Sequence, residues 1–281
     1  MLVRTTAINK IIKLKKRIKI IQGGTSAGKT FGILPILIHK AADTPNIEIS
    51  VVAESIPHLR RGALKDFLNI MKWTGRYFEQ RFNKSLLRYE FANGSYIEFF
   101  SADDSSKLRG ARRDILYINE CNNVDFNSYN ELAIRTKQEI YLDFNPANEF
   151  WVHTELKDEG DSDFLILTYK DNEALDERIV KEIEKNRLKA NTSSYWENWW
   201  RVYGEGLVGM LEGVVFSNWK VIDKIPDEAR LLGYGVDFGY SVDPSSIIEV
   251  YNYNGERILN EICYETGLVN TDIAKKLQKT V

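Results

Sequence analysis

The sequence predicts an α/β protein in which a mostly parallel sheet is covered by helices on both faces. Three observations lead there. Short apolar runs alternate with helical patterns through the first 170 residues, as strands joined by crossover helices do. The first of these runs leads straight into a complete phosphate-loop signature. Apolar residues at 43% and charged residues at 28% of 281 positions fit a soluble globular chain of one large domain or two ordinary ones.

The expected strands, in order, are "IKII" (18–21), "IEISVVA" (47–53), "YIEFF" (96–100), "DILYI" (114–118), "EIYLDF" (139–144) and "FLILTY" (164–169). Helical patterns lie at 58–72 and 126–137. After Tyr169 the texture changes. Leu175, Ile179 and Ile183 stand four apart among charges, which predicts an amphipathic helix. Tyr195, Trp196, Trp199, Trp200 and Tyr203 then follow at helical spacing. Such a stripe reads as packing in preference to a platform for stacking bases. Gly204, Gly206, Gly209 and Gly213 punctuate a connector, the best domain boundary in the chain.

The formal charge of −2 is unevenly spread. Arg4, Lys10, Lys13, Lys15, Lys16, Arg17 and Lys19 all precede the first acid, Asp43. That block reads either as a phosphate-binding arm or as a solvated edge ahead of the first strand. It lacks the long apolar core of a removable signal, and no apolar stretch is long enough to span a membrane. Cys121 and Cys263 are too few and too far apart for a disulfide framework or a zinc site. A reducing, cytoplasmic setting is the default expectation.

"IKIIQGGTSAGKT" carries the sharpest signal. Gly23, four residues, Gly28, Lys29 and Thr30 complete GxxxxGK[ST]. Glycines let successive backbone N–H groups turn inward around phosphate oxygens, where a Cβ would collide. The expected ATP site is therefore Gln22, Gly23, Gly24, Thr25, Ser26, Ala27, Gly28, Lys29 and Thr30. Lys29 places a point charge on the β- and γ-phosphates, and the Thr30 hydroxyl is placed to ligate Mg²⁺. The helix that starts near Lys29 aims its positive end at the same phosphates.

Hydrolysis also needs an acidic strand end. "RRDILYINECNN" supplies the strand, ending on Asn119 and Glu120. Glu120 is expected as the general base or water-positioning carboxylate. Asn119 stands where an Mg²⁺-coordinating Asp is usual; an amide oxygen accepts from metal-bound water but brings no charge. An arginine facing the γ-phosphate is the remaining part, with Arg109 first among candidates that include Arg60 and Arg61.

A second acidic feature comes late, in "GYGVDFGYSVDPSS" (233–246). An apolar strand delivers Asp237 into a glycine turn; Asp243 follows, and Glu261 lies on what reads as a neighbouring strand. Asp272 reads better as a helix cap or first-turn charge.

Taken in order, "QGGTSAGKT", "VVAESIPHLRRGALKDF", "KLRGARRDILYINECNN", "YLDFNPANEFWVHTEL", "GVVFSNW" and "GYGVDFGYSVDPSS" resemble the large terminase subunit of tailed bacteriophages, in its PBSX-like branch. The resemblance runs from about residue 18 to 275. It implies an additional-strand P-loop ATPase joined to the start of an RNase H-like nuclease domain. The implied boundaries are 1–208 for the ATPase with a helical lid at about 170–208, 209–230 for a linker and 231–281 for an incomplete nuclease domain. It further implies a motor that moves double-stranded viral DNA into a capsid through a portal protein, in the host cytoplasm. The motor would work with a small terminase subunit and as a homo-oligomeric ring. Lys29 and Thr30 then belong to Walker A, and Asn119 with Glu120 to Walker B. Asn145, in "DFNP", becomes the coupling residue, and Asp237 the first metal ligand of a nuclease that uses Mg²⁺ or Mn²⁺. Two departures stand out: this loop reads Gly24-Thr25-Ser26, with no arginine inside it, and residue 119 is Asn.

The resemblance places the remaining nuclease acids well downstream of Asp237, so the chain reads as C-terminally truncated and without DNA cleavage of its own. Rival readings are a small-molecule kinase, a helicase, and a P-loop module that binds nucleotide as an assembly switch.

Overall fold

Thr5 ends its extended backbone by accepting the Ile8 N–H on its side chain, and this caps a helix, α1 (Thr6–Ile12), that buries Ala7, Ile8 and Ile11. The basic block is therefore not a free arm throughout. Lys10 pairs with Asp171 at 2.7 Å. Arg17 donates to the carbonyls of Ala133 and Thr136. Lys19 is buried beside Glu139, and its ammonium is held below its ordinary pKa by that burial. Only Lys13, Lys15 and Lys16 of the block's later part stay exposed. The computed structural model describes residues 3–103, 110, 112–210, 220–239 and 243–280.

The strands that follow confirm the predicted alternation. They are β1 (Ile18–Gly23), β2 (Glu48–Ala53), β3 (Phe82–Asn83), β4 (Arg88–Glu90), β5 (Tyr96–Ser101), β6 (Arg113–Asn119), β7 (Thr136–Phe144) and β8 (Ser162–Leu167). They form one eight-stranded sheet in the order β3-β4-β5-β2-β6-β7-β1-β8. Every pairing from β5 to β8 is parallel, and β3 and β4 add an antiparallel edge. The helices are α2 (Lys29–Asp43), α3 (Ile56–Arg61), α4 (Ala63–Trp73), α5 (Phe126–Ala133), α6 (Glu177–Lys189) and α7 (Ser194–Trp199).

Successive strand residues face opposite cores, as the period of two demands. Ile21, Val51, Tyr117 and Tyr141 belong to the core shared with α1, α2 and α4. Ile20, Val52, Ile118 and Leu142 belong to the core shared with α5. Strands buried on both sides explain why the sequence shows continuous apolar runs here instead of alternation.

Three predicted elements differ. The helix expected over 58–72 is broken at Gly62, whose backbone leaves the helical region (φ −104°, ψ −111°), giving α3 and α4. The helix expected over 126–137 stops at Ala133, because Thr136 already begins β7. The aromatic stripe does pack, but as a peripheral ladder instead of core. Trp196, Trp199 and Tyr203 contact one another in series along α7 and a π-helical turn (Trp200–Gly204), with Tyr195 exposed at the outer end. Lys189 Nζ lies 4.1 Å from the Trp196 ring, so the ladder is half-solvated and charge-flanked.

The chain divides into two compact units, Met1–Gly213 and Val214–Val281. The second contains an antiparallel sheet of β9 (Arg230–Asp237), β10 (Ser245–Tyr253) and β11 (Glu256–Glu265), with β10 central, and a helix α8 (Asn270–Thr280). Ile247, Cys263 and Ile273 form its small core. No helix among the described residues is long and apolar enough to cross a membrane.

Candidate active site

β1 is buried at all six residues and ends on the glycines of the phosphate loop. A Cβ on Gly23 would lie 2.6 Å from the Leu167 carbonyl oxygen, and one on Gly24 would lie 2.3 Å from that of Tyr203. Both oxygens are backbone, so neither position accepts a side chain without moving a neighbouring segment. The same two carbonyls accept the N–H groups of Gly24 (3.1 Å) and Thr25 (2.9 Å). The first half of the loop is thus tied to β8 and to the segment after α7. The phosphate cradle falls to its second half, Ser26 to Thr30.

Ser26 (φ 57°) and Gly28 (φ 76°) are both left-handed, and the alternation of backbone hand makes an anion-binding concavity of successive N–H groups. Ala27 between them is buried. Asn172 donates to the Ser26 carbonyl at 2.9 Å and holds the loop from outside. Gly28 caps α2 with no side chain on the helix's first N–H groups, and no acid lies in its first turn. Those donors and the helix dipole point at the loop, as a phosphate requires.

Lys29 uses its three ammonium hydrogens on Gly23 O (3.0 Å), Gly24 O (3.0 Å) and Asn145 Oδ1 (2.6 Å). Burial pushes its pKa down; the charges of Asp143 and then Glu120 oppose that push. Gln22, ahead of the loop, donates to Gly206 O at 2.6 Å and faces His153 Nε2 at 2.9 Å.

The acid strand, β6, is separated from β1 by β7, the interposed strand that defines the additional-strand type. Asn119 and Asp143 are register partners across β6 and β7, so their side chains share a face. Asn119 Nδ2 donates to Asp143 Oδ1 (3.0 Å) and to Tyr117 Oη (3.2 Å), and lies 3.4 Å from Thr30 Oγ1. A carboxylate only accepts, which fixes the amide with its nitrogen toward Asp143. Its oxygen then faces Gly62, where a Cβ would stand 3.4 Å away. Asn119 thus turns its nitrogen, not its oxygen, toward Thr30 Oγ1 and Asp143 Oδ1.

Glu120 follows in a left-handed conformation (φ 53°), with its N–H on Asp143 Oδ1 (3.2 Å) and its carboxylate 3.0 Å from His58 Nε2. A non-glycine residue in this region is uncommon and is found at functional turns more than elsewhere. His58 belongs to α3, whose N-cap Ser55 fixes the first turn. Spacing gave no sign of His58, Asp143, Gln22's contact with His153, or Tyr203. Each reaches the site through tertiary contacts.

The structure therefore brings together the loop 22–30, Asn119, Glu120 and Asn145. Arg60 and Arg61 are exposed on α3. Arg109 lies outside the described residues, as do 211–219 of the expected linker. Asp237 stands exposed at the end of β9 in the second unit, with Asp243 and Glu261 also exposed. Among the described residues no group of three or more His, Cys, Asp and Glu is placed to hold a metal.

Comparison with known proteins bears on the site's identity. No curated protein matches the chain. The large terminase of a thermophilic bacteriophage superposes over 98% of this chain and 73% of its own, at 19% identity and TM-score 0.62. The large terminase ATPase domain of Thermus phage P74-26 is covered to 92%, by 72% of this chain, at 12% identity and TM-score 0.51. The HK97 bacteriophage large terminase is covered to 60%, by 91% of this chain, at 13% identity and TM-score 0.55. At these identities the likeness is one of fold. Membership rests on sequence: the family model described as phage terminase large subunit matches residues 15–205, from the strand before the phosphate loop to the turn after the aromatic ladder. The chain belongs to the phage terminase large subunit family.

Proposed function

We propose that this chain is the ATP-hydrolysing motor subunit of a terminase that drives double-stranded viral DNA into a capsid. The observation that carries this reading is the convergence of Lys29, Thr30, Glu120 and Asn145 on one edge of the sheet, beneath an uncapped helix start. Two structures of the thermophilic phage terminase are complexes with ADP and with ATP-γ-S, which supports nucleotide binding by this chain.

In this reading Lys29 exchanges its loop carbonyls for the β- and γ-phosphates, and the N–H groups of Ser26 to Thr30 orient them. Glu120 accepts the proton of the attacking water. Asn145, already bonded to Lys29, senses the γ-phosphate through that ammonium. The residues present suit Mg²⁺: the Thr30 hydroxyl and the Asp143 carboxylate supply hard oxygen ligands, and both lie within reach of Asn119 Nδ2. When bound there, the ion neutralises charge on the phosphates.

The motor would act as a homo-oligomeric ring against a portal protein, with a small terminase subunit delivering DNA, in the host cytoplasm. Asp237 would be the first metal ligand of the nuclease half. Arg109 would face the γ-phosphate. A second reading has one specific support: Glu120 is tied to His58, which suits a nucleotide switch that binds without turning over. ATP turnover stimulated by duplex DNA or by portal protein, and lost in Glu120→Gln, is the expected result. Tight binding without turnover would favour the switch, and phosphate transfer to a small acceptor would favour a kinase.

A further inference from the structure

The family position that usually carries a metal-binding acid holds Asn119 here, yet the site is not short of a carboxylate. Asp143 is 1% exposed, and its Oδ1 accepts from three donors: Tyr117 Oη (2.9 Å), Asn119 Nδ2 (3.0 Å) and the Glu120 N–H (3.2 Å). All three fall on one oxygen. Burying a carboxylate is costly unless it is hydrogen-bonded and faces a positive charge. Lys29 supplies such a charge: Asp143 is the leading counter-charge to its ammonium. A carboxylate so placed lies beside the end of β6, displaced sideways by one strand to its register partner on β7.

We propose that Asp143 is the carboxylate of the nucleotide-linked magnesium site, supplying from β7 the negative charge that Asn119 lacks on β6. This rests on the nucleotide reading above. Three details fit together. Asn119 directs its amide nitrogen at Asp143 and at Thr30 Oγ1, so it acts as a strut that sets the carboxylate and the hydroxyl at fixed distances. It offers no oxygen in that direction. Tyr117, two residues earlier on the same face of β6, braces the same carboxylate oxygen. Its phenol, raised well above its ordinary pKa by burial, remains a donor. Oδ2 takes none of these bonds and is the oxygen available for the ion or its water.

The alternative is that Asp143 only balances the charge of buried Lys29. The two differ in what Mg²⁺ does. Binding of a fluorescent ADP is measured with Mg²⁺ and with EDTA for the wild type, Asp143→Asn, and the exchange variant Asn119→Asp/Asp143→Asn. Mn²⁺ bound in the presence of ADP is counted by electron paramagnetic resonance. Asn at 143 keeps an oxygen for the three donors, and the exchange variant keeps one acid and one amide, so at least one of the two retains the fold.

The expected result is that Asp143→Asn, whatever its affinity for ADP in EDTA, loses the gain that Mg²⁺ gives the wild type by about 10–100-fold, the usual cost of removing a group that sets a metal site. The Mn²⁺ signal falls with it, and the exchange variant restores both. A Mg²⁺ gain that survives in Asp143→Asn overturns the assignment. So does an equal loss with Mg²⁺ and with EDTA that the exchange does not repair. A wild-type protein that binds no ADP under either condition overturns the nucleotide reading itself, and this proposal with it.

Discussion

Lys29 Nζ donates to Asn145 Oδ1 at 2.6 Å, and this contact joins the phosphate loop to the turn that follows β7. The turn continues into Pro146, whose carbonyl accepts the Gly209 N–H at 2.9 Å. Gly206, in the same segment, packs against Gly24 with a left-handed backbone. A continuous set of contacts therefore runs from Lys29 to the connector after the aromatic ladder.

Asn145→Ala removes one hydrogen bond to a charged group and leaves the loop's other partners in place. ATP affinity is expected to change little, while kcat falls by about tenfold or more, the size of one such bond. Steady-state kinetics with separate KM and kcat check this. An unchanged kcat would show that Asn145 merely stores the lysine.

Glu120 and His58 make the second pair. Glu120→Gln keeps the shape but cannot take a proton, and turnover should fall by about 10²–10⁴-fold with ADP binding intact. His58→Ala has the opposite expectation. A carboxylate 3.0 Å from an imidazole is engaged by it, so its release raises turnover measured without DNA. A fall in turnover would make His58 a residue that holds Glu120 in its working position.

Gly24→Ala tests how firmly the loop is clamped. The new methyl would meet the Tyr203 carbonyl at 2.3 Å, and such overpacking costs about 1–3 kcal/mol. For a unit of this size each kcal/mol lowers Tm by about 2–4 °C. Gly160→Ala, with nothing within 4 Å of its Cβ, is the control. Equal melting temperatures for the two variants would mean the segment after α7 yields freely.

What was legible in the sequence was local. The phosphate loop could be read because its glycines, lysine and threonine are contiguous and each answers one steric or charge requirement. β1, β2, β5, β6, β7 and β8 could be read because each carries a short, mostly apolar run, and β1, β2 and β6 are buried almost throughout. Asp143 could not be recognised, since its meaning depends on the β6–β7 register that seats it beside Asn119. His58 could not be recognised either, since it meets Glu120 across the fold, from a helix that ends at Gly62 instead of running over 58–72. β3 and β4, two and three residues long, carry too little periodicity to register. The two readings of the basic block stayed open because charge counts do not reveal which lysines find partners: Lys10 meets Asp171, and Lys19 meets Glu139, across the fold.

His153 links the loop to pH. Its Nδ1 accepts the Phe150 N–H at 3.3 Å, so Nε2 carries the proton and donates to Gln22 Oε1 at 2.9 Å. Phe144, Phe150 and Phe164 surround the ring. Burial lowers its pKa below the ordinary 6.5; nearby Glu149 opposes the shift and Lys157 adds to it. A histidine held neutral binds fewer protons folded than unfolded across the window between the two pKa values. The stability it contributes is therefore full above pH 6.5 and is lost as pH falls from there toward the folded value. His153→Gln has no ring to titrate and should be insensitive across that window. The difference in Tm between wild type and His153→Gln, measured from pH 7.5 down to 5.5, is expected to shrink as acid is added. A difference that holds constant or widens would place the proton elsewhere.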